Sequence, residues 1–213
     1  MKDILETINF MIKGVGVTAA LYTCTILLSY PLGVMLALKK RTGNKYIKKC
    51  IEFYTWVFRG TPLLLQLFFV YFGLPAIGIR FSPFQSAVFA FTLNYGAYMT
   101  EIIRGGINAI DKGQWEAATI LNLSKKTLYM KIILPQGLKN CLPSIANESI
   151  TLVKDTALVA AIGLGDILRV TKQVVTRDIE IYPFLLAAIF YLIFTGIVVQ
   201  IFKILEKKYN SWS

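Results

Sequence analysis

The chain has 213 residues, 55% of them hydrophobic and 16% charged, with a formal net charge of +11 and no histidine. A soluble domain of this size carries about 25% charged residues, and the absence of imidazole excludes histidine-based catalysis and histidine metal sites. The basic residues are clustered. Lys39, Lys40, Arg41, Lys45, Lys48 and Lys49 form one group; Arg104, Lys112, Lys125, Lys126, Lys131 and Lys139 lie in and around a second; Lys203, Lys207 and Lys208 form a third. They alternate with apolar runs, as cytoplasmic loops of a membrane protein do, so the charge reads as topology and no nucleic-acid partner is expected. Cys24, Cys50 and Cys141 have no metal-ligand spacing, and no metal or disulfide framework is expected.

Residues 1–13 place Ile4, Leu5, Ile8, Met11 and Ile12 at helical spacing. With Asp3 and Glu6 among them they do not read as a cleavable signal peptide, and a short amphipathic helix at the membrane surface is expected. Residues 14–38, 60–79, 81–100 and 181–200 are free of charge, and a membrane helix needs roughly 20 mostly apolar residues. Five spans follow, at about 14–38, 52–75, 83–107, 138–162 and 183–205. The fold class is thus an all-α, polytopic membrane helical bundle, a single transmembrane domain over residues 1–213. The basic clusters put the N-terminus outside and the C-terminus inside. Pro62 and Pro143 are candidate kinks.

Between the third and fourth spans, residues 108–136 are polar yet read as two short helices on the cytoplasmic side. Asp111 is a candidate cap for the first, with Gln114 reaching back as in a capping box. Asn122 sits where that helix stops, as the second choice after glycine for a left-handed C-terminal residue. Ser124 caps the second helix and Pro135 ends it. Helices this short are marginal alone, since roughly 12–15 residues are needed, so they must pack on something; Trp115, Ala117, Ala118, Ile120 and Leu121 offer an apolar surface to a partner, or else the segment is an amphipathic loop lying on lipid headgroups.

The fourth span contains Glu148, Lys154 and Asp155. A charge at the bilayer centre costs about 2.5–3.5 kcal/mol on insertion scales. Glu148 and Asp155 are two helical turns apart and share a face, with Lys154 beside it. Two readings stand: a cavity that recognises a zwitterion, with Lys154 on its carboxylate and Glu148 on an amino group, or an ion pair of Lys154 with Asp155 or Glu148 that only orders the bundle. In the third span Asn94 and Tyr98 face the same way, beside Tyr95, and are candidate cavity residues. Arg59 and Arg104, near span ends, serve either to anchor headgroups or to act in transport.

The string Gly113-Gln-Trp-Glu-Ala-Ala followed by Ile133-Leu-Pro135-Gln136 resembles the EAA motif of ABC importer permeases. Arg59-Gly-Thr-Pro-Leu63, Glu101-Ile-Ile-Arg-Gly-Gly-Ile107 and Lys154-Asp-Thr-Ala-Leu158 are similar to the polar amino-acid branch of type I importers, the permeases of histidine, glutamine, arginine and cystine. The resemblance implies the transmembrane subunit of an importer that moves a polar amino acid, cationic or cystine-like, by alternating access across the bacterial cytoplasmic membrane. It implies a second permease subunit, identical or homologous, a cytoplasmic ATPase dimer that binds the ATP and Mg, and an external substrate-binding protein. Gly113, Gln114, Glu116, Ala117, Ala118 and Asn122 would couple to the ATPase; the family usually has glycine at position 122. Glu148, Lys154, Asp155, Asn94 and Tyr98 would contact substrate. The chain itself has no Gly-x-x-x-x-Gly-Lys-Ser/Thr sequence to hold ATP phosphates, and no cofactor or catalytic activity of its own is expected. The competing reading is an ion-gradient-driven small-solute carrier or channel, with Lys154 and Asp155 as a relay.

Overall fold

A computed structural model of the protein describes residues 2–210, and the described residues form helices and short connections with no strand. The first helix, α1 (Lys2–Thr42), is continuous for 41 residues. At about 1.5 Å per residue it is twice as long as a hydrocarbon core of about 30 Å. The expected surface helix is therefore not a separate element: no cap or turn divides residues 2–13 from the apolar run after them.

The second expected span is not a straight crossing. It is divided into α2 (Lys45–Gly60) and α3 (Leu63–Phe68), and α3 continues through a π turn (Phe69–Gly73) and a 3-10 turn (Leu74–Ile77). The two arms are bent by 103°. Pro62, with no N–H to continue the ladder of α2, stands at the break. Next comes α4 (Pro83–Asn108), opened by a capping box in which Ser82 and Gln85 satisfy each other's backbone. α5 (Lys112–Ile120) and α6 (Lys125–Thr127) follow, and a π turn (Leu128–Ile133) leads into α7 (Leu134–Asp155), which ends in a 3-10 turn (Thr156–Ile162). Then come α8 (Ile167–Asp178) and α9 (Tyr182–Asn210).

Among the described residues α1 and α9 are each long and apolar enough to cross a membrane, and the bent α2–α3 pair, counted as one span, makes a third. α4 and α7, of 26 and 22 residues, also have the length but carry Asn94, Glu101 and Arg104, and Glu148, Lys154 and Asp155. They form the centre of the bundle. α4 packs on α1 and α7, and α7 on α9, around Leu21, Phe91, Tyr95 and Leu152 at one level and Met99, Ile103, Ile107 and Ile133 at the next. The α4–α7 crossing is made close by two glycines. A Cβ on Gly106 would meet the Gly137 carbonyl, and one on Gly137 would lie 2.8 Å from Ile107 Cγ1.

α8 is fixed at its start by Asp166, whose carboxylate accepts from the Leu168 and Arg169 N–H groups at 3.1 and 3.0 Å and from the Tyr191 hydroxyl at 3.3 Å. Burial pushes this carboxyl above its ordinary range, against those hydrogen bonds. At the other end of α8 the Arg177 guanidinium holds Asp178 below it.

Candidate functional site: a polar cleft and a capped coupling segment

The break between α2 and α3 frees backbone carbonyls inside the bundle, where unpaired polar groups cost several kcal/mol. Each finds a donor. Thr61 Oγ1 donates to Val57 O at 2.8 Å. Gln66 Nε2 is 3.0 Å from Phe58 O, 3.1 Å from Thr61 O and 2.7 Å from Thr61 Oγ1. Asn94 Nδ2 reaches across from α4 to Phe58 O at 2.9 Å and to Gln66 Oε1 at 3.0 Å. Gln66 was not singled out by the sequence reading; a glutamine four residues after a helix-breaking proline in an apolar run is the signal that points to it. Asn94 is 5% exposed, and both its hydrogen bonds go to the break.

Beside the break lies an open cleft of about 640 Å³, whose lining includes Arg59, Asn94, Tyr95, Tyr98, Glu148 and Asp155. Two arms of the chain and two central helices thus contribute to one surface. The Arg59 guanidinium stands over the Tyr98 ring, 5.4 Å from its centroid, within cation–π range. Tyr95 donates its hydroxyl to Asp155 Oδ2 at 2.7 Å. Glu148, half-buried, has no hydrogen bond or ion pair among the described residues, and Asp155 has no ion pair. Lys154 is exposed and does not line the cleft. No ion pair of Lys154 with Asp155 or Glu148, the alternative reading, is formed among the described residues; one step along the helix turns Lys154 about 100° away from Asp155. Four of the five expected substrate residues, Glu148, Asp155, Asn94 and Tyr98, meet at the cleft; Lys154 does not.

At the other end of α4, Glu101 accepts from Lys40 Nζ and from Arg104 Nε, both at 2.8 Å. Arg104 is thus a partner of Glu101. Arg41 donates to Asn108 Oδ1 at 2.9 Å and lays its guanidinium over Trp115, 4.1 Å from the ring centroid. Trp115 meets Tyr129 edge-on at 5.9 Å. α5 is held in this way against the bundle by one tryptophan and by Ala118, which is 3% exposed. Trp115 and Ala118 therefore belong to the inner face of α5. The outer face is Gly113, Gln114, Glu116, Ala117 and Ile120, all exposed, with Ile120 at 84% and Leu121 beyond the helix end at 69%.

The caps are partly as expected. Asp111 accepts from Gly113 N at 2.7 Å, but Gln114 does not reach back. Its Oε1 accepts instead from Gln136 Nε2 at 3.3 Å, which links the two ends of the segment. Asn122 is left-handed, with φ 47°. Its N–H goes to Thr119 O and that of Leu123 to Ala118 O, both at 3.0 Å; this pair of bonds is a Schellman motif. Ser124 caps α6 by accepting from Thr127 N at 3.2 Å. Pro135 does not end the second helix. It lies in the first turn of α7, where its missing N–H is tolerated, and the π turn before it closes i→i−5, from Leu134 N to Tyr129 O. The second short helix is therefore the leading end of α7.

Comparison with known proteins agrees with this architecture. Residues 29–211 match the family described as binding-protein-dependent transport system inner membrane component. A putative glutamine transport system permease protein of Rickettsia conorii is 42% identical over 204 residues, covering 94% of this chain and 93% of the relative. The arginine transport system permease protein ArtQ of Bacillus subtilis is 41% identical over 209 residues, covering 97% and 95%. A crystal structure of an amino acid ABC transporter with histidines superposes with a TM-score of 0.88 at 32% identity, covering 96% of each chain. The chain belongs to the binding-protein-dependent transport system inner membrane component family, as a membrane permease subunit of the amino-acid ABC importers.

Proposed function

We propose that this subunit moves a polar amino acid carrying a positive charge or a second amino group across a bacterial cytoplasmic membrane, with the α2–α3 cleft as its path. The observation that carries the reading is the pair of carboxylates, Glu148 and Asp155, on one cleft with no ion-paired cation. Arg59, on the same lining, supplies a site for an α-carboxylate in the place first given to Lys154. Relatives named for arginine and for L-cystine transport, the latter TcyB of Bacillus subtilis at 30% identity, are consistent with a substrate bearing extra amino groups; the glutamine relatives mark the neutral alternative.

The topology follows from the basic clusters: five crossings, α1, the bent α2–α3 pair, α4, α7 and α9, with the N-terminus outside and the C-terminus inside. α5 then faces the cytoplasm and docks on an ATPase that binds the ATP and Mg, the outer face around Glu116 being the contact. Two permease subunits pair, and an external binding protein delivers the ligand. Nucleotide binding moves α5, and the cleft alternates between the two sides.

The test is uptake into proteoliposomes holding the permease, its ATPase and the binding protein. Glu148→Gln is expected to lower uptake of arginine or cystine more than that of glutamine. Equal effects on both, or none, remove Glu148 from the site. Uptake that persists without the ATPase refutes the importer reading.

A further inference from the structure

On one side of the bundle a groove of about 570 Å³ runs between α1, α7 and α9. Its walls are apolar for most of their length, with Ile26 from α1, Leu142 from α7, and Ile197 and Ile201 from α9. Lys139 and Tyr209 line it too, and the same two residues line a second pocket of about 740 Å³. That pocket adds Gln136, Asn140 and Lys208, and among the described residues neither lining contains an acidic one. The groove therefore changes from apolar to cationic along its length, which is the polarity of an anionic amphiphile. On α9 it reaches from Phe194 to Tyr209, about 22 Å at 1.5 Å per residue, enough for one leaflet of a hydrocarbon core about 30 Å thick.

Lys139 makes the case specific. It is half-buried, stands where the two pockets meet, and has no hydrogen bond or ion pair among the described residues. An ammonium group at the mouth of an apolar groove, with no acidic partner beside it, is placed to hold a phosphate through charge-assisted hydrogen bonds. We propose that the groove holds one anionic phospholipid, with an acyl chain between α1, α7 and α9 and its phosphate on Lys139. Its assignment to the cytoplasmic leaflet rests on the orientation proposed above; the binding itself does not.

The permease is purified with its ATPase in mild detergent from membranes containing phosphatidylglycerol and phosphatidylethanolamine, and retained lipid is counted by native mass spectrometry. One phosphatidylglycerol per permease chain is expected, with phosphatidylethanolamine washed away. Lys139→Ala is expected to lower retention by about fivefold, the worth of one basic residue at a membrane surface. Lys139→Arg and the remote Lys45→Ala are expected to retain it, which separates a lost contact from a damaged fold. Undiminished retention by Lys139→Ala, or no preference for the anionic lipid, overturns the proposal. So does a disulfide between two permease chains carrying Ile201→Cys, which would place a second copy in the groove. Because lipid is counted without transport, failure of the uptake test leaves this result standing, and the reverse.

Discussion

Asn122→Val perturbs one dihedral angle at the end of α5 and little else. Asn122 sits at φ 47° and its side chain is exposed, so no core packing is touched. Asparagine visits the left-handed region readily, whereas for most L-residues that region costs roughly 1–2 kcal/mol, and a β-branched residue is an outlier there. The valine variant either keeps the turn and bears that strain, or leaves it and loses the two closing bonds, from Asn122 N to Thr119 O and Leu123 N to Ala118 O. A penalty of one or two kcal/mol lowers the ratio of docked to opened turn by a factor of about 5–30, and the docked population falls with it. Leaving the turn also re-aims α6 relative to the outer face of α5, so the loss falls on coupling. The assay is ATP hydrolysis in proteoliposomes, with and without substrate-loaded binding protein. Stimulation is expected to fall in proportion to that population, with basal hydrolysis and thermal unfolding of the permease near the parent values. Asn122→Gly, which takes the same angle without strain, is expected to retain full stimulation. Parental stimulation in the valine variant would refute the link between this turn and coupling.

Two further substitutions separate support from contact. Asn94→Leu leaves Gln66 Oε1 unpaired and withdraws one donor from Phe58 O; an orphaned buried polar group costs about 1–3 kcal/mol, and chemical unfolding in detergent is expected to show that loss. An unchanged unfolding midpoint would mean that the break does not depend on α4. Arg41→Ala removes the guanidinium over Trp115, worth about 0.5–2 kcal/mol, and the bond to Asn108. Stimulated hydrolysis is expected to fall, membrane insertion to be unaffected, and Arg41→Lys to recover part of the loss; full coupling in the alanine variant would show that α5 is held without α1.

How much of this was legible in the sequence depended on whether the relevant partner was local. The Schellman turn at Asn122, the Asp111 and Ser124 caps and the interruption at Pro62 are decided by residues within a few positions of one another, and local stereochemistry is enough to read them. Glu148 and Asp155 share a face because seven residues make two turns. Lys154 was placed beside that face, and the single helical step that separates it from Asp155 leaves it off the cleft lining. Trp115 and Ala118 were read as an outward surface because periodicity names an apolar face without saying which way it turns; Arg41 and Tyr129, from distant positions, decide that. Gln66 was passed over for the same reason: its value lies in carbonyls that are free only once the 103° bend exists. The π turn before Pro135 has no simple composition, so the proline was taken as a stop.

The position of α4 relates the two ends of the site. Asn94, Tyr98, Glu101 and Asn108 recur at spacings of four, three and seven, and so form one stripe along an unbroken helix. At one end of the stripe Asn94 holds the break and Tyr98 meets Arg59 at the cleft. At the other, Glu101 and Asn108 hold Lys40 and Arg41 of α1, and Arg41 covers Trp115 of α5. The fourteen residues between Asn94 and Asn108 span about 21 Å of rigid helix. Glycines at the α4–α7 crossing bring backbone against backbone at Gly106 and Gly137, close enough that tilting α4 shifts α7 as well, and α7 carries Glu148 and Asp155. On the proposed mechanism a displacement of α5 therefore reaches both walls of the cleft through α4, without any loop having to move independently. The short α5 supplies the contact, and the length and close packing of α4 carry its motion to the cleft.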